Sequence, residues 1–121
     1  MMFTIRGATT INEDMKDEIL NSVEELLSKI IEANNIDKEK IISIIFSATK
    51  DIKSVYPAEG ARKMGITNAS LMCLQEMEVE NSLERCIRVM LLVNGDKNQT
   101  EVKNIYLRDS IILRPDILEG K

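Results

Sequence analysis

The sequence predicts an α+β domain in which five or six short β-strands form one sheet, with one long and one short helix on its outside. Three observations carry that expectation. A single segment, Ile19 to Ile31, repeats apolar residues at helical spacing over several turns. Several shorter runs, 41–48, 70–74 and 86–93, are dense in Ile, Leu and Val and bounded by polar turns, the pattern of buried strands. At 121 residues the chain has room for one core, so residues 1–121 are read as one domain.

Taken in order, Phe3 to Thr9 is the first strand, carrying Arg6 just before Gly7. Asn12, backed by Glu13 and Asp14, reads as a helix start, with Thr10 and Glu13 a competing capping box. Ile19, Leu20, Val23, Leu26, Leu27, Ile30 and Ile31 then form the stripe of the long helix, closed by Asn34-Asn35. A polar turn at 37–40 leads into the β-branched run Ile41 to Ala48. Pro57 opens a short helix from Ala58 to Met64, and Gly65 ends it. Ser70 to Leu74 is a core strand running into Gln75-Glu76-Met77-Glu78, and Cys86 to Val93 is the next. After the turn at 95–98, Lys103 to Leu107 reads as a strand and Ile111 to Leu113 as a last one. Two helices cannot cover both faces of a sheet whose strands are apolar on both sides. A closed homo-oligomer with the uncovered faces turned inward is therefore expected.

Composition narrows the function. A net charge of −4 gives no overall attraction for nucleic acid, and no apolar run approaches membrane-spanning length, so neither partner is expected. Nothing at the N-terminus resembles a secretory signal, and a cytoplasmic protein is expected. The chain has no histidine, which removes Ser-His and Cys-His nucleophiles and most zinc sites. Cys73 and Cys86 lack metal-ligand spacing, so no metal is expected.

Arg88 is the anomaly, a guanidinium inside the apolar run Cys86 to Val93. Removing that charge from water costs several kcal/mol unless an anion meets it. Arg6, Arg62 and Arg114 likewise sit on strands, beside a strand end or on a helix after a loop, whereas lysines fall mostly on the long helix and in turns. Arginine presents a planar fork suited to carboxylates and keeps its charge under all conditions. Each could still be an ordinary ion pair, with Glu76 the natural counterion of Arg88; Cys73 could be a small core residue, and Tyr56 and Tyr106 boundary residues. A pocket of Arg6, Arg62, Arg88, Tyr106 and Glu76 would suit a small dianion bearing a hydroxyl, without identifying the molecule.

Five separated blocks add a resemblance. Ile5-Arg6-Gly7-Ala8-Thr9-Thr10, Tyr56-Pro57-Ala58 with Arg62, Cys73-Leu74-Gln75-Glu76-Met77, Cys86-Ile87-Arg88-Val89-Met90, and Tyr106-Leu107 with Leu113-Arg114-Pro115-Asp116 together resemble the monofunctional AroH-type chorismate mutases. The resemblance implies a mixed sheet in a homotrimer, the pseudo-α/β-barrel of the Bacillus chorismate mutase-like fold, with active sites at clefts between subunits. It implies a rearrangement of chorismate to prephenate without cofactor. It also implies the roles: Arg88 at the ether oxygen, Glu76 and Cys73 at the ring hydroxyl, Arg6 and Tyr106 on the side-chain carboxylate. Arg62 would close the pocket, Tyr56 and Ala58 would form wall, and Leu113 and Arg114 would belong to a C-terminal rim. Glu59 stands where many members carry lysine, which reduces the attraction for a dianion at the mouth, and Tyr56 where phenylalanine is common. Strict alternation sends Cys73 and Glu76 to opposite faces, so the strand is expected to bend or end between them. Two other readings remain: an imine or enamine deaminase of similar trimeric fold, with Glu76 positioning water, and a non-catalytic module that binds an anionic metabolite.

Overall fold

The computed structural model describes residues 1–113. Strands β1 (Met2–Thr10), β2 (Ile41–Ala48), β3 (Ser70–Gln75), β4 (Cys86–Asn94) and β5 (Ile105–Tyr106) form one sheet in the order β3-β2-β4-β1-β5. Central β4 runs antiparallel to β1 and β2, while β3 is parallel to β2 and β5 parallel to β1. The sheet is thus mixed, as the resemblance implies.

Helix α1 (Lys16–Asn34) covers one face. Its stripe meets Phe3 and Ile5 of β1, Ile44 and Phe46 of β2, and Ile87, Val89 and Leu91 of β4 in a single core. Gly7 lets α1 and β5 come close, because a Cβ there would lie 2.8 Å from Ile30 Cδ1 and 2.9 Å from the Ile105 carbonyl oxygen. Asn35 closes α1 in the left-handed conformation, φ 52°, its N–H directed to the carbonyls of Ile31 and Glu32. Helix α2 (Ala58–Lys63) packs on α1, with Pro57 as the residue before the helix and Gly65 just beyond it at φ 88°.

Among the described residues the opposite face has no helix. Ile42, Ile45, Met72, Leu74 and Met90 are exposed apolar residues on β2, β3 and β4. The double-sided apolar strands thus have cover on one side only among the described residues.

Three expectations are corrected. The long helix starts at Lys16, behind an extended Met15 with no side-chain cap, so neither Asn12 nor Thr10 caps it. Instead the Glu18 carboxylate accepts from the backbone N–H groups of Asn12 and Glu13. Asp14 is drawn away from the helix end and accepts from Lys53 N–H and Ser54 N–H, both at 3.0 Å, which lowers its pKa. Second, Ile111 to Leu113 is no strand: Arg108–Leu113 coils as a 3-10 segment, begun by Arg108 at φ 53° and held by the Ser110 hydroxyl on the Leu107 carbonyl at 2.6 Å. Third, the strand expected over 103–107 contracts to two residues. Its neighbour on the N-terminal side is held instead by the side chain of buried Asn34, which accepts from Lys103 N–H and donates to Lys103 O.

Candidate active site

The register places Leu74, Ser47, Arg88, Ala8 and Tyr106 in one row across all five strands, and strand pleating sends alternate residues of each strand to the same face. Ala8 contributes only a methyl group between Arg88 and Tyr106, which lie two strand spacings, about 10 Å, apart. Arg6, two residues before Ala8 on β1, shares that face beside Met90. Arg6, Ser47, Glu76, Arg88 and Tyr106 line a cavity of about 200 Å³, with Ile45 and Met90 as apolar wall. Four of the residues singled out in the sequence therefore converge on the helix-free face.

Arg88 and Glu76 form an ion pair, Nη1 to Oε2 3.7 Å, with side chains 41% and 27% exposed. The Ser47 hydroxyl donates to Glu76 Oε1 at 2.6 Å, and Glu76 N–H donates to the Ala48 carbonyl at 2.9 Å. Glu76 is consequently held at both its backbone and one carboxylate oxygen, while the other oxygen faces the guanidinium. Strand β3 ends at Gln75, between Cys73 and Glu76 as expected, yet the two remain on opposite faces, as alternation gives, and line different cavities. Sequence reasoning missed Ser47: its hydroxyl is unremarkable in an apolar run, and only the β2-β4 register puts it opposite Arg88.

Cys73 pairs in register with Phe46 and packs against the core on the helix-bearing side. It lines a different, larger cavity of about 740 Å³ together with Tyr56 and Gln75. Glu59 is in that lining too, together with Lys16, Lys50 and Lys53, so the reduced attraction expected from Glu59 is offset by cations along the same cavity. One of these, Lys50, is paired with Glu78. Within one chain, then, Cys73 and Tyr56 are not brought to Arg88. Ala58 is only 3% exposed and sits in the core. Arg62 is exposed on α2, and Leu113 is half-buried at the end of the 3-10 segment. Arg114 lies outside the described residues.

Cys86, next but one to Arg88, is buried, and burial pushes its thiol up to about 11 against the opposing pull of the Arg88 charge. It is a neutral thiol near pH 7 and no nucleophile. Among the described residues no cluster of acidic and thiol side chains could hold a metal ion. No described helix is long and apolar enough to cross a membrane.

Two guanidinium groups, a phenol and an anchored carboxylate line one small cavity on a mixed α+β sheet, a donor and acceptor set whose chemistry suits a small hydroxylated anion. Comparison with known proteins makes the class specific. The family model for chorismate mutase type I matches residues 2–117. The chain is 41% identical over 118 residues to chorismate mutase AroH of Bacillus subtilis, covering 97% of this chain and 93% of that one. It is 42% identical over 118 residues to the Thermus thermophilus AroH, covering 97% of each. A solved chorismate mutase from Clostridium thermocellum superposes with a TM-score of 0.88 at 45% identity, over 90% of this chain and 97% of that one. The chain belongs to the type I chorismate mutase family, isomerases of aromatic amino-acid biosynthesis. The deaminase and binding-module readings are not favoured by these relationships.

Proposed function

We propose that this chorismate mutase rearranges chorismate to prephenate at clefts between the subunits of a homotrimer, with Arg88 stabilising the breaking ether oxygen. In this reaction one C–O bond breaks as one C–C bond forms within the same molecule, so no atom leaves and no nucleophile is needed. The protein has to hold the side chain of the substrate over its ring and meet the charge that separates. A guanidinium fixed in the sheet binds the ether oxygen more strongly as negative charge builds on it, and such a differential interaction raises the rate. The observation that carries this reading is the Ser47, Glu76 and Arg88 arrangement, which holds a carboxylate and a guanidinium side by side on rigid strands.

Glu76 accepts the hydrogen bond of the ring hydroxyl and faces the electron-poor ring. Arg6 and Tyr106 grip the side-chain carboxylate. Of the remaining residues, Tyr56, Arg62 and Cys73 come from the side of a neighbouring subunit, with Ala58 packed in the core behind them, and Leu113 belongs to the rim. Two features support an interface site. Tyr56 and Cys73 line a cavity separate from that of Arg88 in the single chain. The apolar helix-free face also surrounds the smaller cavity with Ile45 and Met90. The two free cysteines suit a reducing compartment, and we place the enzyme in the cytoplasm.

The test is to follow loss of chorismate and appearance of prephenate with the purified chain while measuring its mass by sedimentation. A trimer that forms prephenate without added cofactor is expected. A stable monomer at micromolar concentration contradicts the shared cleft, and ammonia release from imines without chorismate turnover contradicts the reaction.

A further inference from the structure

Of the five buried polar residues described, Thr9, Thr10, Ser22, Asn34 and Ser110, four meet at one joint beneath the end of β5. Arg108 organises it. Its Nη1 donates to Thr9 Oγ1 at 3.1 Å, to Ser22 Oγ at 3.3 Å and to the Thr10 carbonyl at 3.4 Å. Its Nη2 lies 3.1 Å from Glu25 Oε1. That carboxylate oxygen is buried and has no hydrogen bond among the described residues, so the guanidinium neutralises it. The chain reverses at Arg108 itself, at φ 53°, and the next two residues complete the joint: Asp109 N–H donates to Thr10 Oγ1 at 3.3 Å, and the Ser110 hydroxyl to the Leu107 carbonyl. One side chain thereby ties the C-terminal segment to both β1 and α1.

This joint lies two residues beyond Tyr106, whose two-residue strand is held to β1 by two register pairs, by the hydrogen bond from Leu107 N–H to the Ala8 carbonyl and, on its N-terminal side, by Arg6 N–H donating to Asn104 Oδ1 at 2.8 Å. A strand that short does not fix a side chain by itself. We infer that Arg108 is a positioning residue, which sets the Tyr106 phenol against the Arg88 cavity by clamping the segment behind it to Thr9, Thr10, Ser22 and Glu25. The inference rests on Tyr106 gripping the substrate carboxylate. A forked donor is required because the hydroxyl acceptors and the carboxylate are met by different nitrogens, a span that a lysine ammonium does not reproduce.

The test is a cycle of Arg108→Ala and Tyr106→Phe, singly and together, with kcat and KM for chorismate measured well below each variant's thermal midpoint. Arg108→Ala is expected to raise KM about tenfold with kcat changed less than about threefold, a loss of binding rather than of chemistry. In the Tyr106→Phe background the same substitution is expected to change KM less than about twofold, because the hydroxyl it positions is gone. Arg108→Lys should keep most of the KM defect. If Arg108→Ala does not fold, Arg108→Lys and Glu25→Gln enter the cycle in its place with the same expectation. A lowered midpoint with unchanged KM, or effects that add in the double variant, overturns the inference. An unchanged KM for Tyr106→Phe alone overturns the role of Tyr106 and the inference with it.

Discussion

On the face of the sheet that carries the helices, Ile5, Ile44, Phe46, Ile87 and Leu91 are entirely shielded, whereas on the other face Ile45, Leu74, Met72 and Met90 remain 36%, 50%, 58% and 41% exposed. Both sets come from one sheet, sharing β2 and β4, and are almost equally apolar. The difference lies in what stands among them. The shielded face is aliphatic and aromatic apart from Cys73 and the buried Thr9, and carries no charge, while the open face interleaves Arg6, Ser47, Arg88 and, just past β3, Glu76. Apolar area alone therefore does not distinguish the face proposed to carry the reaction. Fixed charges set in apolar surroundings do, because such surroundings limit water and strengthen the field at one point.

The largest expected effect comes from placing a charge on the open face. Met72→Asp puts a carboxylate into the apolar row of Met72, Ile45 and Met90, outside the lining of the Arg88 cavity and two strands away from Arg88, where assembly would bury it without a partner. The variant should sediment as a folded monomer and lose about a thousandfold or more in kcat/KM, roughly 4 kcal/mol of transition-state stabilisation. Retention of a trimer with near-normal turnover would show that this face is not the interface.

On the helix-covered face the same size of energy should appear as stability instead. Leu26 is fully buried against the sheet, and Leu26→Ala should lower the free energy of unfolding by about 3 kcal/mol in urea titrations. The kcat of the folded fraction should stay within about twofold of the parent. A large fall in kcat at unchanged stability would break the division of labour between the faces.

Cys86 sharpens the comparison through pH. Its thiol titrates near 11 in the folded chain against an ordinary value of 9.0, so between these values the folded state holds a proton that the unfolded state has released. Stability is then full below pH 9 and falls as pH rises through the window to about 11, by roughly 2 to 3 kcal/mol in all. Urea midpoints from pH 8 to 11 should show that decline in the parent and a shallower one in Cys86→Ala. Equal slopes would place the thiol in a wetter setting than its burial indicates.

Much of this was legible in the sequence, and the failures have physical causes. Strand β2 and helix α1 announced themselves through density and period, and Asn35 through its place after the last apolar turn. The helix start was misread because Asn12 and Asp14 carry capping chemistry that the structure spends elsewhere, Asp14 on the backbone of Lys53 and Ser54. Ile111 to Leu113 looked like a strand because three branched aliphatics fit a pleat, yet the left-handed Arg108 turns the chain before it can pair. Arg88 stood out as a charge in an apolar run, and Arg6 with it. Ser47 and Arg108 did not, because their partners are far away in the chain: Glu76 is 29 residues from Ser47, and Thr9 is 99 residues from Arg108. Ala58 shows the opposite limit, since nothing in its local motif separates a pocket wall from the core position it takes.

The central claim, that the planar guanidinium of Arg88 stabilises the breaking ether bond, is tested most directly by kcat of Arg88→Lys under saturating chorismate. Lysine keeps the positive charge but loses the fork and its fixed geometry. A fall in kcat of more than a hundredfold, about 2.7 kcal/mol of barrier, is expected with the trimer intact and the thermal midpoint little changed. A variant that keeps kcat within tenfold of the parent would contradict it.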